Sequence, residues 1–429
     1  MRKFFVWAIL CCLSLPALAG VKIETWSTPS GARVFFVPIP GLPILDMQID
    51  FAAGRAYDPP AKSGVANFTA RLLDGGAGML DENAIADRVA DYALQPGASA
   101  DPDRFSFSMR SLSSERERGE AVELTALLLA APTFPATVME RERQRVIDQL
   151  REQETKPDAI AAKRFAAAIY GDHPYGWHAT PESIAAITRD DLVRFHHDFL
   201  VAARATITLV GNIDRPTAEA IAERLMRDLP PQGSTAGVPP VPPVAPQNLR
   251  ITHPAQQAHV RLGEPVLKRG DADFFPLHVG NYVLGGGGFV SRLMQEVREK
   301  RGYAYSVGSY FQPLAQEGPF QAGLQTRRDQ AVAALDLVRA TIDQFVDQGP
   351  TEAELRDAKR NLIDGYALRL DSNRKLLDQV AVIGFYGLPL DYLDRYPARV
   401  EAVTAAQVRD AFRRRIKLDG MSSVMVGVD

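Results

Sequence analysis

Cysteine is almost missing from this 429-residue chain, and its scarcity excludes several chemistries at once. The two cysteines, Cys11 and Cys12, fall in the apolar run that opens the chain. The remainder therefore has no disulfide, no thiolate metal site and no cysteine nucleophile. Histidine is sparse as well. His173, His178, His196, His197, His253, His259 and His278 contain no His-x-x-x-His or His-x-x-Glu-His spacing, which would set two imidazoles on one helical face for zinc. His196 and His197 are adjacent and point about 100° apart on a helix. His173 and His178 share a loop, where hydrogen bonding is the simpler role. There is no Gly-x-Ser-x-Gly elbow, no phosphate-binding loop and no second apolar stretch long enough to span a membrane. Positive charge is not in excess either. With Arg2 and Lys3 set aside, 47 Lys and Arg face 52 Asp and Glu, a formal charge of −5, which argues against nucleic acid as a partner.

What is present begins with a leader. Arg2 and Lys3 precede the apolar run Phe4 to Leu15, and Ala17-Leu18-Ala19 supplies a small-x-small cleavage pattern, so residues 1–19 read as a signal peptide and the mature chain starts at Gly20. The rival reading is an uncleaved anchor, but the apolar run is shorter than the roughly 17–25 residues a spanning helix needs. Export is expected, to the periplasm if the source is Gram-negative. The mature chain, with 46% hydrophobic residues overall, is long enough for two sizeable cores.

Proline and glycine then mark the middle. Leu229 to Asn248 reads LPPQGSTAGVPPVPPVAPQN, which forms neither helix nor central strand. It separates a first domain at 20–228 from a second at 249–429. The two parts repeat. Thr188 and Thr404 each precede an amphipathic helical pattern, then an apolar strand, then Gly211 and Gly427, and the spacing from Thr to Gly is 23 residues both times. Strand patterns at Leu45–Phe51, Phe105–Ser111, His259–Glu264, Ala304–Phe311 and Phe320–Gln325 alternate irregularly with helical ones. These include Gly64–Leu73, Pro135–Glu154, Phe274–Leu284 and Val290–Lys300. The fold class this predicts is α+β: two homologous domains, each an antiparallel sheet with helices packed on one face.

The segment Gly64-Val65-Ala66-Asn67-Phe68-Thr69-Ala70-Arg71 resembles the active-site helix of the pitrilysin/insulinase family of inverted zinc peptidases, where the pattern is Gly-Leu-Ala-His-Phe-Leu-Glu-His. The resemblance places Asn67 and Arg71 at the two zinc-binding histidines and Ala70 at the general-base glutamate. It places Gln149, seven after Glu142, at the third ligand, with Asp148 one residue off. Asn67, Ala70, Arg71 and Gln149 do not supply what zinc needs, a lone carboxylate from Asp148 cannot hold the ion, and Arg71 is a permanent cation. The second half also resembles the family. Leu284-Gly285-Gly286-Gly287-Gly288-Phe289-Val290-Ser291-Arg292-Leu293, then Val297-Arg298-Glu299-Lys300-Arg301-Gly302-Tyr303-Ala304-Tyr305, is similar to its C-terminal signature. The family's arginine–tyrosine pair, seven residues apart, falls on Arg298 and Tyr305.

The resemblance implies half of a clamshell, with Arg298 and Tyr305 assisting hydrolysis in trans at a partner's zinc site. Gly285, Gly286, Gly287 and Gly288 would let a peptide approach closely. This chain itself would bind no cofactor. Its partner would be a paralogous subunit bearing His-x-x-Glu-His, in a heterodimer that cleaves unstructured peptides. The alternative is an inactive structural or peptide-binding homologue in which the pair no longer functions.

Overall fold

The repeated unit forms because its caps do. Thr188 and Thr404 each accept the N–H three residues on, from Asp191 and Gln407, whose side chains accept the threonine N–H in return. Behind these capping boxes run the helices Arg189–Phe199 and Ala405–Arg415, followed by the fully buried strands Ala205–Gly211 and Ser422–Val426. The computed structural model describes residues 20–428, so the leader and Asp429 lie outside the described residues.

Each of those strands enters the middle of a sheet. The first sheet has the order Glu24–Ser27, Arg33–Pro38, Ala205–Gly211, Ile44–Phe51, Phe105–Leu112, Gln95–Ala100. The second has the order Asn248–Ile251, Ser422–Val426, Gln257–Leu267, Gly318–Arg327, Ala304–Phe311. Apart from the extra edge strand Glu24–Ser27, the two orders coincide. Both are antiparallel except where the last strand of the half lies parallel to its first long or leading strand, Arg33–Pro38 in one and Asn248–Ile251 in the other. Two α+β domains of one topology follow. Between Met226 and Asn248 there is neither helix nor strand. That stretch is nevertheless held: Pro230 and Pro239 carbonyls take hydrogen bonds from Ala202 N–H and the His173 ring at 2.9 Å each, and Gln316 donates to the Val238 carbonyl at 3.1 Å.

Helices of each half cover one face of its own sheet, and a helix from the other half covers part of the opposite face. Period-2 alternation shows this directly. In Arg33–Pro38, Val34 and Phe36 join the first domain's own core, while Phe35 and Val37 pack with Leu376, Leu377, Val380 and Ile383 of the helix Asn373–Tyr386. In Ser422–Val426, Met425 faces the second domain's core, while Val424 and Val426 pack with Phe165, Ala168 and Ile169 of the helix Pro157–Tyr170. The exchange is reciprocal.

A polar latch accompanies it. Asp103, essentially buried, accepts the Tyr386 hydroxyl at 2.8 Å, the Ala315 N–H at 2.8 Å, and the Tyr175 hydroxyl. Tyr175 in turn accepts from the Gln316 N–H at 3.1 Å. Among the described residues no helix is long and apolar enough to cross a membrane.

Candidate functional site

The helix Val65–Leu72 is seated by Asp58, whose carboxylate accepts the Gly64 and Ala66 N–H groups at 2.6 and 2.9 Å, where the helix dipole favours negative charge. Burial works against that charge and pushes the Asp58 carboxyl up to about 7. Val65, Ala66, Phe68, Thr69 and Leu72 face inward, and Ala70 is buried too. Asn67 and Arg71, one turn apart, share the exposed side.

Arg71 is not idle. Its Nε donates to Glu142 at 2.8 Å, on the helix Ala136–Gln153. The Glu142 side chain, only 9% exposed, also receives Arg145 at 2.5 Å and Arg141 at 3.1 Å, and Arg141 forks onto Glu82 at 2.6 and 2.9 Å. Burial alone would raise the Glu142 pKa, but hydrogen bonds from Arg71 and Arg141 outweigh it and hold the carboxylate below its usual range. Gln149 lies two turns further along the same helix, on its exposed side, as does Asp148. Among the described residues, no three His, Cys, Asp or Glu side chains stand together as a set that could hold a metal ion.

The second half builds its site on irregular helix. The helix Phe274–Asn281 widens into a π-turn at Tyr282–Gly286, a tight turn follows at Gly288–Val290, and a second π segment runs from Met294 to Glu299. Such widened turns recur at functional sites. Gly285 is needed for close packing, since a Cβ there would meet the Ser309 backbone N at 2.6 Å. Gly286 and Gly287 fold back on Asn281 and Tyr282. Gly288 has φ +62° and nothing near it, so it alone of the four has open space above it.

Arg298 leaves the second π segment with its guanidinium over two rings, 4.7 Å from the Phe289 centroid and 4.9 Å from that of Tyr305. Tyr305 stands on the edge strand Ala304–Phe311 at a β-bulge, where Tyr305 and Ser306 lie between the pairs Ala304–Thr326 and Val307–Leu324. The bulge aims it outward, and it is 81% exposed; Phe289 is 65% exposed. Beside this stack, the open face of the second sheet forms a groove of about 730 Å³, lined by Arg261, Gly308, Tyr310, Gln321, Gly323 and Gln325 among others. A phenol hydroxyl and a guanidinium held side by side at a sheet edge can donate to one acceptor oxygen.

The crystal structure of a peptidase M16 inactive domain from Pseudomonas fluorescens is similar over nearly everything described above. It is 36% identical, covers 95% of this chain and 98% of its own, and has a TM-score of 0.91. The chain belongs to the insulinase family, peptidase family M16. The family pattern "Insulinase (Peptidase family M16)" matches residues 43–180, and "Peptidase M16 inactive domain" matches 186–362. Among curated proteins, the uncharacterized zinc protease YmxG of Bacillus subtilis is 24% identical over 359 residues, covering 83% of this chain and 87% of that one. The non-peptidase homolog YmxG of Helicobacter pylori is 24% identical over 438 residues, covering 99% and 98%.

Within this M16 chain, Asn67, Ala70, Arg71 and Gln149 all lie in the first match, and Gly285–Gly288, Arg298 and Tyr305 in the second. The structure brings Arg298 and Tyr305 together. It brings Arg71 to Glu142, not to Gln149. Two participants escaped the sequence reading. Phe289 reads in sequence as part of a glycine turn, and Glu142 is signalled only by the arginines on its own helix, Arg141, Arg143 and Arg145, which need a carboxylate to receive them.

Proposed function

We propose that this chain is the non-catalytic, substrate-binding subunit of a heterodimeric zinc peptidase acting on unstructured peptides, and that it presents Arg298 and Tyr305 to a zinc site on the partner. The observation that carries the reading is the contrast between the halves. In the first, the guanidinium of Arg71 occupies a ligand position and is neutralised by Glu142. Asn67 and Ala70 supply no replacement donors for zinc or base for catalysis, so the residues present do not fit a zinc ion. In the second, the arginine–tyrosine pair is assembled beside an open groove, with Tyr305 exposed and Arg298 half-buried. A tyrosine hydroxyl so placed can donate to the oxygen that gains charge as a peptide carbonyl is attacked.

The leader pattern supports a place of action outside the cytoplasm, in the periplasm of a Gram-negative cell. The groove, open along one sheet edge, suits an extended peptide.

The deciding experiment incubates a quenched-fluorescent peptide library with the mature chain alone, with a His-x-x-Glu-His-bearing paralogue alone, and with the two mixed. Cleavage should arise only in the mixture and stop on chelation. Tyr305→Phe should then lower kcat by about 10²–10³, the scale of a lost oxyanion donor. If the paralogue cleaves equally well by itself and Tyr305→Phe changes nothing, this chain is an inactive scaffold or peptide-binding homologue.

A further inference from the structure

Two arginines of the second half, Arg269 and Arg369, have no acidic partner among the described residues, and both line one recess of about 140 Å³. It lies among the helices Phe274–Asn281, Asn373–Tyr386 and Tyr392–Glu401, and His278, Tyr366, Tyr392 and Tyr396 complete its wall. The Nε of Arg269 is buried without a hydrogen-bond partner. Its guanidinium lies 5.3 Å from the Tyr386 ring centroid, and that of Arg369 lies 6.0 Å from the Tyr396 centroid. Stacking of this kind uses the flat face of the guanidinium and leaves its N–H donors unspent. A buried charged donor without an acceptor is costly to leave unmade.

The surroundings keep that demand unmet from within. His278 is kept neutral by burial and by the charge of Arg369, and its Nε2 pairs with the Tyr396 hydroxyl at 2.9 Å. Tyr366 donates its hydroxyl to the Leu393 carbonyl at 3.1 Å. Asp394, on the helix Tyr392–Glu401, accepts the Val21 N–H at 3.0 Å. The recess also joins the peptide groove, because Phe274, His278 and Arg369 line both. One acidic side chain, Asp158, lines the groove itself.

We propose that this recess is a binding site for a single oxyanion, supplied by the carboxylate of an acidic side chain on a peptide lying in the groove. The forked donors of an arginine match a carboxylate, and they match a free phosphate equally well, so phosphate is the other source of the same chemistry. The peptide source rests on the substrate-binding reading above; the anion site does not.

Two measurements on the isolated mature chain separate these. In the first, the melting midpoint is followed against inorganic phosphate, with chloride at equal ionic strength as the control. In the second, fluorescence anisotropy compares labelled unstructured peptides that differ only by Glu or Gln at successive positions. Phosphate should raise the wild-type midpoint in a concentration-dependent way and leave that of Arg369→Gln unmoved. At one position the Glu peptide should bind about tenfold tighter than its Gln twin, and Arg369→Gln should erase the difference without weakening the Gln twin. Arg369 is exposed, so that variant remains informative even if Arg269→Gln folds poorly. A phosphate effect with no Glu preference keeps the anion site, assigns it to a free anion and counts against the peptide reading. No phosphate effect beyond chloride together with no Glu preference, or effects unchanged in Arg369→Gln, overturns the proposal.

Discussion

Each half of this M16 chain turns an arginine toward its candidate site, and the two arginines are held in different ways. Arg71, which the family resemblance sets at a zinc-ligand position, is bound to Glu142; Arg298, which we propose faces substrate, is bound among the described residues only to rings. The first was legible in the sequence as a loss, because a cation cannot replace an imidazole at a metal. Its partner was not, because the pairing joins residues 71 apart on two helices, and no local pattern encodes it. Phe289 makes the second arginine testable. Cation–π contact at an exposed site is worth about 0.5–1 kcal/mol, so Phe289→Ala should reduce the kcat of the mixed peptidase about two- to fivefold. Phe289 is mostly exposed, so the melting temperature of the chain should stay where it is. A loss of stability equal to the loss of rate would show that the ring is merely packing.

At the level of elements, period and capping carried far. Thr188, Thr404 and the apolar strands behind them gave the duplicated unit from sequence, and the strand pattern at Ala304–Phe311 was recovered to the residue. What periodicity could not reveal was which half a helix serves. Asn373–Tyr386 is amphipathic in either setting, and only tertiary packing sends its apolar stripe to Phe35 and Val37. The π-turns at Tyr282–Gly286 and Met294–Glu299 read as ordinary helix because a widened turn shifts the apolar spacing by a single residue, too small a break to show in so short a pattern. Because each sheet relies on a helix of the other half, the two domains should unfold in urea as one transition. Asp103→Ala, which strands two tyrosine hydroxyls and the Ala315 amide, should lower stability by about 3 kcal/mol within that single transition. Two separate transitions in the wild type would contradict the reciprocal packing.

For the molecule as a whole, buried ionisable groups oppose one another. His178 and His278 are held down to about 4, each first by burial and then by a nearby arginine, Arg55 or Arg369. They take up protons more readily when unfolded, so their share of stability is lost as pH falls from 6.5 toward 4. Asp58 and Glu264 are pushed by burial up to about 7. They take up protons more readily when folded, so their share grows as pH falls from 7 toward ordinary carboxylate values. Between about pH 6.5 and 4.5 the contributions of these two pairs run in opposite directions and offset each other. His278→Gln should change the pH dependence of stability, gaining about 1–2 kcal/mol relative to wild type at pH 5 compared with pH 7. An unchanged difference between the two pH values would remove His278 from the account.

The reciprocal helices also bear on how the chain comes to exist. Roughly 160 residues separate Gly211, which closes the first sheet, from Asn373, where its borrowed cover begins. A polypeptide that emerges N-terminus first therefore carries Phe35, Val37 and Val210 unroofed while that stretch is made, on the order of ten seconds at ordinary rates of synthesis. During that interval the nascent chain is an adhesive intermediate. Whatever escorts it before residue 386 appears has as much say in the yield of folded protein as any contact in the finished structure.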